Sequence, residues 1–357
     1  MRPVNTYVQR VDAYWADAQA ERAPDAPTCV STFAGGGGSS TGYHMAGFRE
    51  VKAVEWDDHA VDTLGLNYPH LDIYHGDIAA MSVDEVLSKA GLKKGELSLL
   101  DGSPPCQGFS LMGGRALDDP RNGLFREYVR LLDGLAPKTF VMENVKGMTL
   151  GKMKAVYHEA MTALRGAGPG YRTVSGILNS GYFGVPQLRE RLIVIGVRED
   201  LGITPTLPAP EMCPPTVREA LRGLDSGPTG FQIHANFLTA WGRTLPGRDF
   251  SDLHVKGHMF SHTKIHPDKA SPTILKTVGV QRDGQANNGL YHWRYPRLLT
   301  IPELKRIGSF PDAYQFAESG DAVKDFSNAW ARVGNSVPPL MTRAIARHIR
   351  ATILDRA

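Results

Sequence analysis

Three groups of side chains in this 357-residue chain have types and spacing suited to chemistry. The first is Cys106 in "GSPPCQGFS", Gly102–Ser110. Two prolines fix their own φ and restrict the residue before each, so the chain enters Cys106 with little freedom, which suits a thiol that must be aimed. An ordinary buried cysteine beside a proline turn would read the same way. The second is Glu143 in "VMENV", where an apolar strand should end. A carboxyl held there in partly apolar surroundings would have a raised pKa and could donate a proton near neutral pH; a capping or ion-paired glutamate is the plainer reading. The third is "VPQLRERLIVIG", which sets Arg189 and Arg191 two apart at the mouth of another strand, hence on one side. Guanidinium groups there could bind a carboxylate, a phosphate or a carbonyl oxygen, or form a surface ion pair.

The elements that must position these residues are legible as an alternating pattern. "TCVSTFAGGGGSS" runs from a β-branched strand into a glycine loop, "TGYHMAGF" looks helical, and "VKAVEWD" is a second strand ending in acids. A further acid follows at Asp77 in "HGDI", and apolar strands recur at "LSLLD", "KTFVMEN" and "RLIVIGV" with helical stretches between them. This predicts an open, mostly parallel sheet covered on both faces. A glycine loop followed by strand-ending acids suits a nucleoside ligand, but "FAGGGGSS" lacks the G-x-G-x-x-G spacing that would favour NAD. Past Val197 the texture becomes proline-rich, glycine-punctuated and rich in histidine up to about Thr300, as expected of an inserted domain. The last stretch returns to an amphipathic helix, and the N-terminus reads as another, with Val8, Val11 and Trp15 on one face.

Composition narrows the class. At 42% hydrophobic the chain can bury a large core. Cys29, Cys106 and Cys213 are odd in number and show no C-x-x-C spacing, so neither a disulfide framework nor a thiolate zinc site is indicated, and a reducing compartment follows. No signal peptide or membrane-spanning run is visible; the expectation is a cytoplasmic protein away from membranes. Of the charged residues, ten Lys or Arg and seven Asp or Glu lie between Leu201 and Pro296, leaving thirty of each elsewhere, so the net +3 resides in the insert. His254, His258, His262 and His266 recur every four residues, but Gly257 and Pro267 interrupt a helical ladder; no metal is expected, and solvent-facing or phosphate-contacting imidazoles are.

Taken in order, "FAGGGG", "VEWD", "GDI", "GSPPCQGFS", "DDPRNGLF", "ENV", "VPQLRERLIVIG", "HPDKASPTI", "RLLTIPELKRIGSFPD" and "RVGNSVPP" make the chain resemble the DNA (cytosine-5)-methyltransferase family from about Thr28 to its C-terminus. The resemblance implies an α/β, Rossmann-like S-adenosylmethionine-dependent methyltransferase fold with a small inserted target-recognition domain. Its expected bounds are residues 1–200 for catalysis and cofactor, 201–300 for recognition, 301–329 for a hinge and 330–357 for a helix returning to the catalytic domain. It further implies that Cys106 is the nucleophile, that Glu143 faces N3 and the amine of cytosine, and that Arg191 contacts O2 with Arg189 in support. Phe33, Gly35, Glu55, Trp56, Asp77, Ile78, Pro105, Leu124, Asn335 and Ser336 would form the S-adenosylmethionine pocket, Glu55 on the ribose and Asp77 on the adenine amine. Ser31 departs from the pattern, since the family often has an acid there near the methionine ammonium group.

The implied partner is double-stranded DNA, with functional pairing to a restriction endonuclease and a monomeric state expected. Ser110 and Met112 would lie in a lid, Met112 as a wedge in the vacated stack or as packing for the lid itself. Arg243, Arg248, Lys256, Lys264, Arg282 and Arg294 are available for phosphate and guanine contacts. The rivals are the family branch acting on tRNA and a catalytically silent DNA-binding regulator.

Overall fold

The computed structural model describes residues 6–105, 121–224, 226–250, 253 and 261–356. Cys106, Ser110, Met112, His254, Lys256 and His258 therefore lie outside the described residues. The chain forms two compact units: a larger one of Asp17–Asn179, Glu190–Ala209 and Thr342–Ala357, and a smaller one of Met1–Ala16, Ser180–Arg189 and Pro210–Met341.

The larger unit is built on seven strands, β1 (Thr28–Thr32), β2 (Arg49–Glu55), β3 (Ile73–His75), β4 (Leu99–Gly102), β5 (Thr139–Val145), β6 (Tyr171–Asn179) and β7 (Glu190–Arg198). Their order in the sheet is β3-β2-β1-β4-β5-β7-β6. Pairs among β1 to β5 are parallel, and β7 runs antiparallel to both neighbours. The expected mostly parallel sheet is thus found, with its reversal of strand order between β1 and β4. Every residue of β1 and β4 is buried, as befits central strands of a sheet covered on both faces.

Helices α2 (Gly38–Met45), α3 (Asp58–Asn67), α4 (Val83–Ala90), α5 (Arg121–Leu135) and α6 (Met153–Gly166) connect the strands. Their starts follow local capping: the Asp57 carboxylate accepts from Ala60 N at 2.9 Å, and Ser82 caps α4, whose end is closed by Gly91 at φ +66°. The core beneath α5 gathers Leu100, Phe125, Tyr128, Leu131, Phe140 and Met142.

The smaller unit holds α1 (Thr6–Ala18) up to Ala16, α7 (Val217–Leu221), α8 (Ala235–Arg243), α9 (Ile301–Ile307), α10 (Ala322–Asn335) and the start of α11 (Pro339–Thr352). A five-stranded sheet joins β8 (Gln232–Ile233), β9 (Arg248–Asp249), β10 (His262–Lys264), β11 (Gly279–Val280) and β12 (Gln285–Tyr291). These bounds differ from the expected ones. Residues 301–329, expected as a hinge, group with the smaller unit, where Arg297 and Glu303 make a buried bidentate pair at 2.8 and 2.9 Å and Thr300 and Glu303 form a capping box on α9. Helix α10 likewise belongs here, with Trp330 Nε1 donating to Leu275 O at 3.0 Å. The N-terminal helix joins this unit through Tyr7, whose hydroxyl donates to Arg306 O at 2.6 Å; Tyr7 and Val11 are buried while Val8 and Trp15 are half-buried.

Gly102, the first residue of the cysteine motif, fills a place with no room for a methyl group. A Cβ there would lie 2.6 Å from a ring carbon of Tyr128, whose own hydroxyl donates to Val141 O at 3.0 Å and so cannot swing aside freely. Gly102→Ala is expected to cost about 1–3 kcal/mol by overpacking, read as a lowered urea midpoint at unchanged slope.

Candidate active site

The C-terminal ends of β1, β2, β4, β5 and the N-terminal end of β7 supply the chemistry-bearing side chains of the larger unit. The glycine loop after β1 starts at Phe33, which adopts φ 55°, a left-handed conformation uncommon for a non-glycine residue. Glu55 ends β2, is buried, and receives three backbone N–H bonds, from Gly35 at 2.6 Å, Trp56 at 2.9 Å and Asp57 at 3.0 Å. Those donors fix the carboxylate and tie the glycine loop to it, while lone pairs remain for further donors. Trp56 beside it is exposed, Asp77 is exposed and caps the short turn at Ile78–Ala80 through Ala79 N at 2.9 Å, and Ile78 is buried. Leu124 packs on the core from α5, and Pro105 is half-buried.

Glu143 and Arg191 are brought together. In the antiparallel β5–β7 ladder Val145 lies opposite Arg191, so Glu143 is two residues along on the same face, and Arg191 Nε sits 2.8 Å from Glu143 Oε1. Both side chains are largely buried. Of the two readings open for Glu143, the ion-paired one is seen: a guanidinium pairs it. Arg189 is not placed beside Arg191 on the strand. It precedes β7, belongs to the smaller unit and is buried there with Nη1 donating to Ile274 O at 3.2 Å.

Two groups escaped the sequence reading. Asn144 is buried and its Nδ2 donates to Pro104 O at 2.9 Å, while its Oδ1 accepts from Val145 N at 2.9 Å, so the asparagine of "ENV" grips the loop that leads to Cys106. Asp101, at the end of β4, is buried and accepts from the Tyr43 hydroxyl of α2 at 2.8 Å. Burial pushes its carboxyl up to about 7, with Glu50 and Glu143 adding repulsion and the Tyr43 and Ser39 hydrogen bonds opposing it. A signal for Asn144 was present in the motif; for Asp101 none was, because an acid ending a strand is equally often solvated. Cys29, by contrast, is an inert core thiol that burial pushes up.

In the smaller unit, Asn335 is exposed at the end of α10 and Ser336 Oγ donates to Arg332 O at 2.6 Å. Gly334 before them is needed for close packing, since a Cβ would lie 2.9 Å from Lys276 Cα. Of the expected DNA contacts, Arg243, Arg248 and Arg294 are exposed, and Arg282 is exposed with a 3.3 Å pair to Asp321. Lys264 runs against expectation: it is buried, its ammonium donates to Trp241 O at 3.2 Å and Thr244 O at 3.0 Å, and it lies 4.0 Å over the Trp241 ring. His262 is likewise neither solvent-facing nor phosphate-contacting but packed in the core against Phe237, Phe250 and Tyr291. Among the described residues no group of His, Cys, Asp or Glu could hold a metal ion, and no helix is long and apolar enough to cross a membrane.

A family model for C-5 cytosine-specific DNA methylases matches residues 28–351. The chain belongs to that family. It is a DNA (cytosine-5)-methyltransferase, and its most similar curated relatives include the Type II methyltransferase M.XorII of Xanthomonas oryzae, 32% identical over 90% of this chain and 84% of the relative. M1.HphI of Haemophilus parahaemolyticus is 33% identical over 90% of this chain and 86% of its own length. Among solved structures, S. pombe Dnmt2 superposes with a TM-score of 0.64 at 18% identity, covering 91% of this chain and 99% of that one, a likeness of fold.

The Asn144 contact yields a test. Asn144→Ala removes the side-chain hydrogen bond to the Pro104 carbonyl and is expected to cost about 1 kcal/mol in urea unfolding. It should also lower the rate of methyl transfer at saturating substrates, because the segment that leads to Cys106 loses a side-chain anchor.

Proposed function

We propose that this methyltransferase moves a methyl group from S-adenosylmethionine to carbon 5 of a cytosine flipped out of a specific double-stranded DNA site, with Cys106 as a transient covalent nucleophile. The observation that carries the reading is the Glu143–Arg191 pair, 2.8 Å apart, on the strand whose next residue, Asn144, holds Pro104 two positions before Cys106. The residues fit the methyl donor on their own chemistry: Glu55 offers a fixed carboxylate to vicinal ribose hydroxyls, and a Cβ on Gly35 would meet nothing closer than 4.0 Å, which leaves the backbone approachable. When bound, S-adenosylmethionine supplies an electrophilic methyl on a sulfonium.

Carbon 5 of cytosine is too weak a nucleophile to take that methyl unaided. The Cys106 thiolate adds to C6, and the electrons displaced from the C5–C6 bond are accepted toward N3 and O2, which Glu143 and Arg191 face. The entering base thus replaces the ion pair, O2 taking the guanidinium and N3 taking a proton that Glu143 relays from solvent and takes back when the thiolate leaves. The resulting enamine is nucleophilic at C5 and accepts the methyl. A water removes the C5 proton, and the electrons of that bond expel the thiolate and restore the ring. Because C5 and C6 are hidden in a stacked duplex, the base must leave the helix first. Arg243, Arg248, Arg282 and Arg294 on the smaller unit provide exposed positive charge for the duplex. The Type II relatives support partnership with a restriction endonuclease acting on the same site.

Glu55→Ala is expected to weaken S-adenosylmethionine binding by about 2–3 kcal/mol, the scale of hydrogen bonds to a charged group, with unchanged calorimetric affinity counting against the pocket. The covalent step is tested by replacing the C5 hydrogen of the target cytosine with fluorine. The methyl should still transfer, but fluorine cannot depart as a cation, so the protein should stay bound through Cys106 in a complex that survives denaturing gels and needs S-adenosylmethionine. Cys106→Ser should bind both ligands and form none, a hydroxyl being far less ionised than a thiol. Ordinary DNA methylated with no adduct on the fluorinated site would sink the mechanism.

A further inference from the structure

The β1–β4 register sets Ser31 opposite Asp101, and partners in a parallel ladder project to the same face of the sheet. The Ser31 side chain is fully buried and its hydroxyl has no hydrogen-bond partner among the described residues. Asp101 is 5% exposed, and the groups that act on it are Tyr43 and Ser39 from α2, Cys29 from β1, Glu50 from β2, Tyr128 from α5 and Glu143 from β5. These are hydroxyls, a thiol and carboxyls; among the described residues no cation is one of them. A carboxyl buried beside other carboxyls, next to an unsatisfied hydroxyl, lacks one positive donor.

The position says which donor. Glu55, Ser31 and Asp101 stand near the ends of β2, β1 and β4, three adjacent strands. Two strand spacings separate the outer pair by about 10 Å, a span that a nucleoside joined through sulfur to an amino acid can bridge. We propose that Asp101 is the counter-ion of the methyl donor's α-ammonium group, with the Ser31 hydroxyl accepting beside it. The inference rests on the S-adenosylmethionine reading and adds to it the residue that recognises the amino-acid end.

Calorimetry with S-adenosylhomocysteine and with the same thioether lacking its α-amino group tests this on the full chain. The wild-type protein should bind the deaminated probe at least tenfold more weakly, and Asp101→Asn should bind both probes alike, at the weaker level. Affinity for S-adenosylhomocysteine should rise from pH 6 to pH 8 in the wild type, as the Asp101 carboxyl near 7 ionises, and this rise should vanish in Asp101→Asn. In the free protein the folded-state pKa lies above the ordinary 3.8, so the unfolded chain sheds the proton first and the carboxyl costs stability increasingly from about pH 4 to pH 7. Asp101→Asn should therefore raise the ligand-free Tm by an increment that grows over that range and levels off above it. A merely structural acid would give a variant that is less stable at every pH, and that result overturns the proposal. So does an Asp101→Asn protein that keeps the wild-type preference for the amino probe. Wild-type protein that binds both probes equally overturns this inference alone; binding of neither overturns the S-adenosylmethionine reading, and the inference falls with it.

Discussion

The in-register parallel pairing of β1, β4 and β5 is the constraint on which the site depends. It puts Ser31 opposite Asp101 and Asp101 opposite Val141, so that Glu143, two residues further along β5, projects from the same face as both. The ladder is closed by side chains as well as backbone, since Thr32 Oγ1 donates to Asp101 O at 2.9 Å. A slip of one residue would turn every one of these groups to the opposite face. The all-buried strands prevent it, because a slipped β1 or β4 would still have to bury the same polar ends without their partners.

Along that edge three carboxyls are treated in three ways, and the differences divide the labour. Glu55 is clasped by three backbone N–H groups, which favour a fixed anion. Glu143 is matched by the Arg191 guanidinium, which the proposed mechanism has the base displace. Asp101 has hydroxyl donors and carboxyl neighbours and, among the described residues, no cation acting on it, so it carries a standing electrostatic cost. Sites that hold such a cost in the free protein recover it when a ligand of opposite charge arrives, which turns instability into affinity.

Much of this was legible in the sequence, for reasons that can be named. The sheet could be read because buried parallel strands appear as apolar runs between helices, and the cysteine motif because two prolines before a thiol restrict the chain. What could not be read was side-chain direction near the ends of elements. Arg189 and Arg191 look equivalent by spacing, but only Arg191 lies in the regular strand, where alternation holds. Lys264 looks like any basic residue of the insert; its aliphatic stem and ammonium are taken up by Trp241 and two carbonyls, a tertiary outcome that local charge counting misses. His262 belongs to an aromatic core that period-four spacing imitated as a ladder. The Arg297–Glu303 pair, which ties α9 to the segment before it within the smaller unit, could not be read because it joins residues that look like a charged surface.

The Ser31 departure and the buried Asp101 then become one feature rather than two. If an acid is needed where the methionine end lies, either of two neighbouring strands can provide it, because register partners in a parallel ladder are only about 5 Å apart. Moving the carboxyl from β1 to β4 keeps its charge near the same ligand atom and places it under Tyr43, whose hydroxyl holds it in position from α2. The same move puts it five residues before Cys106, on the strand that leads into the nucleophile's loop. Under the proposed assignment, an ammonium that stabilises the Asp101 charge also stabilises the Tyr43 bond and the end of β4, from which the chain runs on to Cys106.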